Sequence, residues 1–400
     1  MPWTNQQACL AVWGNSMTDE DGNPKGREVL SLDGLRALAI LAVMLFHSGA
    51  PGVRAGWIGV DLFFVLSGFL ITTLLLGERQ RFGRIKLRFF WARRFLRLMP
   101  IYFLYVAGIT IAIIATPAVS LTVHHGWTPK MLVFSMWTYW FNYLPLGGIW
   151  TGQYLTGHLW SLSVEEQYYF IWPVLLYLLP RRWIGLFACT LVCVVALGNY
   201  FGYHGHPPHL LLHTRGIGLF IGSAIAIGLH QDSASLKRMQ VLSRSATIVA
   251  AGAVVLTFAG VTYCTVVLDM TESELLRVGV PAFDLAAAFL IANLWHVPDT
   301  HLGRLLSVWP LPQIGAISYG AYLYHMLAWA LTWNILLAGA VDQWPSFPKF
   351  GMRLIVFFTL TLLMAALSYR FFERPFLQLK GRFRPSSSST LSTYPEAVAV

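Results

Sequence analysis

Charge is what this sequence has least of. Asp, Glu, Lys and Arg together make up 12% of its 400 residues, where a soluble domain carries about 25%. So few charges cannot cover a solvated surface, which excludes the two or three soluble domains that length alone would suggest. Cysteine is scarce as well: four residues suggest no disulfide framework. Cys189 and Cys193, one helical turn apart in an apolar run, read as small packing residues. Residues 1–29 lack an apolar core and carry Asp19, Glu20, Asp21 and Lys25, so no cleavable signal peptide is legible there. Met17 offers an alternative start. No internal repeat is visible, which weakens an inverted-repeat transporter.

What is present in excess is apolar surface. Hydrophobic residues account for 56% of the chain and mean hydropathy is +0.58. Apolar runs fall at about 30–49, 56–77, 99–117, 163–180, 183–200, 213–230, 246–267, 279–297, 311–335 and 352–372. Each approaches or exceeds the roughly 18 residues that cross a bilayer. An eleventh segment, 131–147, is rich in Trp and Tyr and contains Asn142; it suits the interface or a re-entrant hairpin.

Basic residues then orient the runs. Arg79, Arg81, Arg84, Lys86, Arg88, Arg93, Arg94 and Arg97 lie between the second and third, which places that loop in the cytoplasm. If 131–147 does not cross, Arg181, Arg182, Lys237, Arg238, Arg244, Arg304 and Lys380 all return there. The prediction is an all-α polytopic membrane bundle of about ten transmembrane helices with both termini cytoplasmic. It divides into a polar N-terminal segment (1–29), a transmembrane domain (30–378) and a disordered cytoplasmic tail (379–400). The net charge of +10 therefore follows a membrane rim, in contact with the lipid bilayer, and no nucleic-acid partner is expected.

Polar groups inside apolar runs are costly and become functional candidates. Arg36 and His47 lie eleven residues apart in the first run, on nearly one helical face and about 16 Å apart along the axis. The simpler alternatives are an anchor paired with Asp33 for Arg36 and a buried, hydrogen-bonded histidine for His47. Asp61 enters the second run near the expected level of His47. Arg93, Arg94 and Arg97 precede Pro100 at the start of the third run, and Glu165 and Glu166 stand at the entrance of the fourth.

With these blocks in order, the chain resembles acyltransferase family 3, the membrane O-acyltransferases that include polysaccharide O-acetylases. The blocks are Arg36-x10-His47, G-V-D-L-F-F-V-L-S-G-F-L-I, Arg93-Arg94-x-x-Arg97-x-x-Pro100 and W-S-L-S-V-E-E-Q (Trp160 to Gln167). Weaker matches follow at Ile317 to His325 and Ser368 to Phe376. One departure stands out: relatives read T-R-x-D-x-L near the sixth crossing, whereas this chain has Thr214-Arg215-Gly216-Ile217, without the acid. Arg215 must then be satisfied in another way.

The resemblance implies acyl-CoA, acetyl-CoA by default, as a cytoplasmic donor. The acceptor is a hydroxyl of a glycan or glycosylated small molecule, and the site is the cell membrane. Arginines bind phosphate bidentately, so Arg93, Arg94 and Arg97 are the CoA-binding candidates. A hydroxyl attacking a thioester needs a base, and imidazole titrates near neutrality; His47 takes that role, with Arg36 positioning the donor. Glu165 and Glu166 orient the acceptor or the imidazolium. Ser161 and Ser163 are minor candidates for an acyl relay, and His47 could itself carry the acyl group. His325 reads first as a helix-bridging hydrogen-bonder. No metal is expected: His204, His206, His209 and His213 are unevenly spaced around a Pro-Pro break. The rival function is transport of a polar solute through the same polar core. Oligomeric state is left open.

Overall fold

A computed structural model describes residues 27–115, 128–143, 155–201, 210–231, 242–337, 339, 341 and 343–383. The segment before residue 27, most of the expected tail, and His204, His206 and His209 lie outside the described residues. All regular structure among the described residues is helical. Ten principal helices carry the fold: α1 Arg27–His47, α2 Gly59–Phe82, α3 Leu87–Ala115, α4 Leu159–Leu178, α5 Arg181–Phe201, α6 Ile217–Gln231, α7 Arg244–Val266, α8 Gly279–His296, α9 Ser318–Leu331 and α10 Ser346–Ser368.

Seven helical stretches are long and apolar enough to cross a membrane; they comprise α1 from Val29 onward and all of α2, α3, α5, α7, α8 and α10. The remaining three expected crossings are helical but fall outside that set. α4 spends two positions on Glu165 and Glu166, α6 has 15 residues, and α9 has 14 before a π turn over Thr332–Leu336. The segment 131–147 begins in the short helix Pro129–Trp137, whose nine residues are opened by the Thr128 cap. That helix is about 14 Å long, against a hydrocarbon core of roughly 30 Å. Leu379–Phe383, read from sequence as the start of a disordered tail, instead form a 3₁₀ turn whose last carbonyl accepts from Arg93 (2.8 Å).

Close backbone approach sets the register of the first two helices. A side chain at Gly59 would collide with the Ala39 carbonyl, and one at Gly56 with that of Ala42, so α1 and α2 are antiparallel with Gly59 opposite Ala39. Asp61 therefore lies eight or more residues below His47, about 12 Å along α1. The expected common level of these two residues is corrected: the glycines let α2 begin deep against α1, while His47 overlooks the preceding turn. α2 and α6 run parallel, as the pairs Asp61–Arg215 and Gly68–Ser223 show. Their contact is tight because Gly222 leaves room for the Val65 carbonyl.

Candidate active site

A cavity opens between α2, α3, α4 and α9, with Arg36 of α1 on its wall. About 700 Å³ of empty space lies within it and at its mouth, part of it open to the outside. Helical phase explains which arginines reach it. Arg94 and Arg97 are three residues apart on α3 and share a face; both line the cavity with Arg36. Arg93 is turned about 100° from Arg94. It leaves the cavity to pair with Glu78 (3.1 Å) and to donate to the Phe383 carbonyl. Of the three arginines grouped by sequence, the fold brings two to the cavity.

The cavity charges are incompletely matched. Arg36 pairs with Asp33 at 2.8 Å, as the simpler sequence reading expected. Arg94 is buried against the rings of Phe90 and Tyr169, at 5.8 and 5.4 Å. Neither Arg94 nor Arg97 is in an ion pair among the described residues. Glu165 faces the same space and accepts from Ser67 (2.7 Å), which accepts in turn from Tyr169 (2.9 Å). It lies six residues inside α4 rather than at its entrance. Glu166 is not on the cavity wall, and Ser163 donates back to the Leu159 carbonyl within α4.

Ser161 and Tyr322 close the other end of the cavity. Ser161 is eight residues from Tyr169, about 12 Å along α4. The Ser161 and Tyr322 hydroxyls are 2.6 Å apart and each reaches the His158 carbonyl at 3.1 Å. Behind them stand three histidines from three helical elements. His325 packs against His47 with ring centroids 4.9 Å apart, and against His158 at 5.1 Å.

Carbonyl partners fix the tautomers, since a carbonyl oxygen only accepts. His325 Nδ1 donates to the Tyr322 carbonyl, so its Nε2 carries a lone pair. His47 Nδ1 lies 3.0 Å from the Val43 carbonyl and 3.3 Å from His325 Nε2. It therefore bears the hydrogen and shares it between them. His47 Nε2 is left as the free base nitrogen. His158 Nε2 donates to the Leu323 carbonyl (3.1 Å), and its Nδ1 is buried without a partner.

Arg215 is satisfied by Asp61 from α2, through both carboxylate oxygens, while Trp57 and Trp160 cover its guanidinium at 5.2 and 5.5 Å. This buried pair answers the departure noted at residue 217. Asp284 of α8, fully buried with both oxygens unpartnered, lies against Gly218 beside it. Sequence reasoning passed over His158, Ser67, Tyr169 and Tyr322. His158 opens the very block whose acids were singled out, so the rule for polar groups in apolar runs would have found it.

Comparison with known proteins places these features in a family. The sequence model of the acyltransferase-domain family, acyltransferase family 3, matches residues 29–371. YrhL of Bacillus subtilis (strain 168) is 32% identical over 359 residues, covering 87% of this chain and 55% of that protein. Peptidoglycan O-acetyltransferase OatA of Listeria monocytogenes serovar 1/2a is 30% identical over 358 residues, with the same two coverages. SACOL0978 of Staphylococcus aureus (strain COL) is 30% identical over 377 residues, covering 88% of this chain and 58% of that protein. The chain thus spans little more than half the length of the curated relatives it matches. No solved structure matches it significantly. By a match that runs from the first helix to the π turn after α10, the chain belongs to acyltransferase family 3.

Proposed function

We propose that this chain is a multi-pass membrane O-acyltransferase that moves an acetyl group from cytoplasmic acetyl-CoA to a glycan hydroxyl on the far side of the cell membrane. One observation carries the reading: a single cavity runs from the guanidiniums of Arg94 and Arg97, in no ion pair among the described residues, to hydroxyls backed by His325 and His47. A buried cation outside an ion pair is costly, and the phosphates of a CoA would pair with buried Arg94 and half-buried Arg97 through directed hydrogen bonds. Arg36 then positions the donor beyond the phosphates. Glu165, held by Ser67, lines the path of the connecting arm.

At the other end, His47 Nε2 takes the proton of the attacking hydroxyl. His325 accepts from His47 Nδ1, which keeps the base in the productive tautomer and steadies the imidazolium that forms. This assigns to His325 a role that a carboxylate often plays beside a catalytic histidine. In this reading ten helices cross, both termini are cytoplasmic, and the arginine end of the cavity faces the donor. Peptidoglycan is the first acceptor to test, because OatA is named for it.

Purified protein in lipid, given acetyl-CoA and peptidoglycan fragments, should add one acetyl group to the glycan, read by mass spectrometry. Acetyl-CoA that binds without transfer to peptidoglycan would redirect the acceptor to another glycan. Failure to bind acetyl-CoA would remove the donor reading. A transporter would move its solute unmodified.

A further inference from the structure

The hydroxyls of Ser161 and Tyr322 have one more bonding option than they need. Two protons are available, and three acceptor positions compete for them: Ser161 with Tyr322, Ser161 with the His158 carbonyl, and Tyr322 with the same carbonyl. One proton can therefore be redirected without leaving a buried polar group unpaired. Tyr322 is the better placed to redirect. Its ring touches Phe63, His158 and His325, which fixes its position, and it lines the cavity. Ser161 can keep the His158 carbonyl satisfied while Tyr322 turns to a ligand oxygen.

We infer that Tyr322, supported by Ser161, donates the hydrogen bond that stabilises the oxyanion formed when the thioester is attacked. This inference rests on the acyl-CoA reading above. The acceptor oxygen bonds to the thioester carbonyl carbon as its proton passes to His47 Nε2, and the carbonyl π electrons move onto oxygen. Tyr322 donates to that oxygen. When the C=O re-forms, the C–S bond breaks, and the departing CoA sulfur takes the proton back from the His47 imidazolium. The products are the acetyl ester and free CoA thiol, so no other reactant is needed. A donor aimed at the developing charge in a water-poor site is worth far more than in solution.

The test pairs Tyr322→Phe with a donor whose carbonyl oxygen is replaced by sulfur, the dithioacetyl analogue of acetyl-CoA. Sulfur is a weak acceptor, so the parent protein should lose rate on this donor. Tyr322→Phe should lower single-turnover transfer from acetyl-CoA by roughly 10²–10³-fold, the usual cost of one oxyanion donor, with donor affinity unchanged. The sulfur penalty should then vanish, because the donor it depends on is gone. A parent-like rate in Tyr322→Phe would overturn the inference. So would a slow variant that keeps the full sulfur penalty, since Tyr322 would then act only through packing. If Tyr322→Phe fails to fold, Ser161→Ala serves: it should shrink the sulfur penalty, and an unchanged penalty would overturn the inference. Loss of the donor reading itself is recognised separately, as a parent protein that does not bind acetyl-CoA.

Discussion

Two sets of inward-facing arginines share this bundle and are treated in opposite ways. Arg215 is enclosed between two tryptophans and held by both oxygens of Asp61. Arg94 and Arg97 face an open cavity and enter no ion pair among the described residues. A buried pair with every group matched fixes how helices sit together. Charge left facing a cavity outside any ion pair is, in the reading proposed above, available to a ligand. Burial alone does not separate scaffold from site; the bonding of the charged group does.

The widest contrast should come from His47→Gln set against Asp61→Asn. His47→Gln removes the titratable nitrogen while keeping size and hydrogen bonding. Single-turnover transfer should fall by roughly 10²–10⁴-fold, with acetyl-CoA affinity unchanged because the arginine end of the cavity is untouched. Asp61→Asn should do the reverse. It leaves Arg215 without its counter-charge, a loss of about 3–5 kcal/mol when one member of a buried pair is removed. Thermal unfolding in detergent should show that loss, and Asp61→Glu should recover part of it. If His47→Gln unfolds and Asp61→Asn only slows transfer, the two regions have been assigned the wrong way round.

The next contrast lies within the cavity. Arg94→Gln with Arg97→Gln should weaken acetyl-CoA binding by about 10–100-fold for each guanidinium removed, following the roughly 1.5–3 kcal/mol of hydrogen bonds to charged groups. Titration of the purified protein checks this. Stability should hold, because neither residue is in an ion pair among the described residues that its removal would break. A protein that loses stability but keeps donor affinity would make these arginines part of the scaffold, like Arg215.

The helices were legible because a membrane imposes a simple rule: every backbone group must be bonded within its own segment, so long apolar runs become helices. The candidate site was legible in part for the same reason. Arg36, His47, Arg94, Arg97 and Glu165 are conspicuous where charge is rare. Serine and tyrosine are not conspicuous, since their hydroxyls can bond within a helix at little cost, as Ser163 does. Ser67 and Tyr322 were therefore invisible until the helices were assembled. Partners were harder still to read. Asp61 and Arg215 are each visible, but no periodicity links residues 154 positions apart. The depth of Asp61 was misread because a helix start was taken as a membrane boundary, and close packing at Gly56 and Gly59 moved it inward.

The smallest effect should come from Arg93→Gln, and it is the sharpest test of bonding against proximity. Arg93 is adjacent to Arg94 in sequence and carries the same charge, so a loop that merely attracts phosphate would use both. In the fold, Arg93 is committed to Glu78 and to the Phe383 carbonyl. Its side chain keeps 22% exposure, which screens its half of the pair although Glu78 is buried, so the loss should be about 1 kcal/mol. Glu78 retains the Lys86 backbone N–H at 2.6 Å after the change, which limits the damage further. Arg93→Gln should lower the unfolding midpoint slightly and loosen the Leu379–Phe383 turn, read as faster proteolysis after Lys380 or Arg382. Acetyl-CoA affinity should stay within about twofold of the parent, as for a substitution away from the site, since Arg93 is turned off the cavity wall and bonded to Glu78 and Phe383. A tenfold loss of affinity would show that the donor reaches the outer face of α3, and that the cavity is only part of its site.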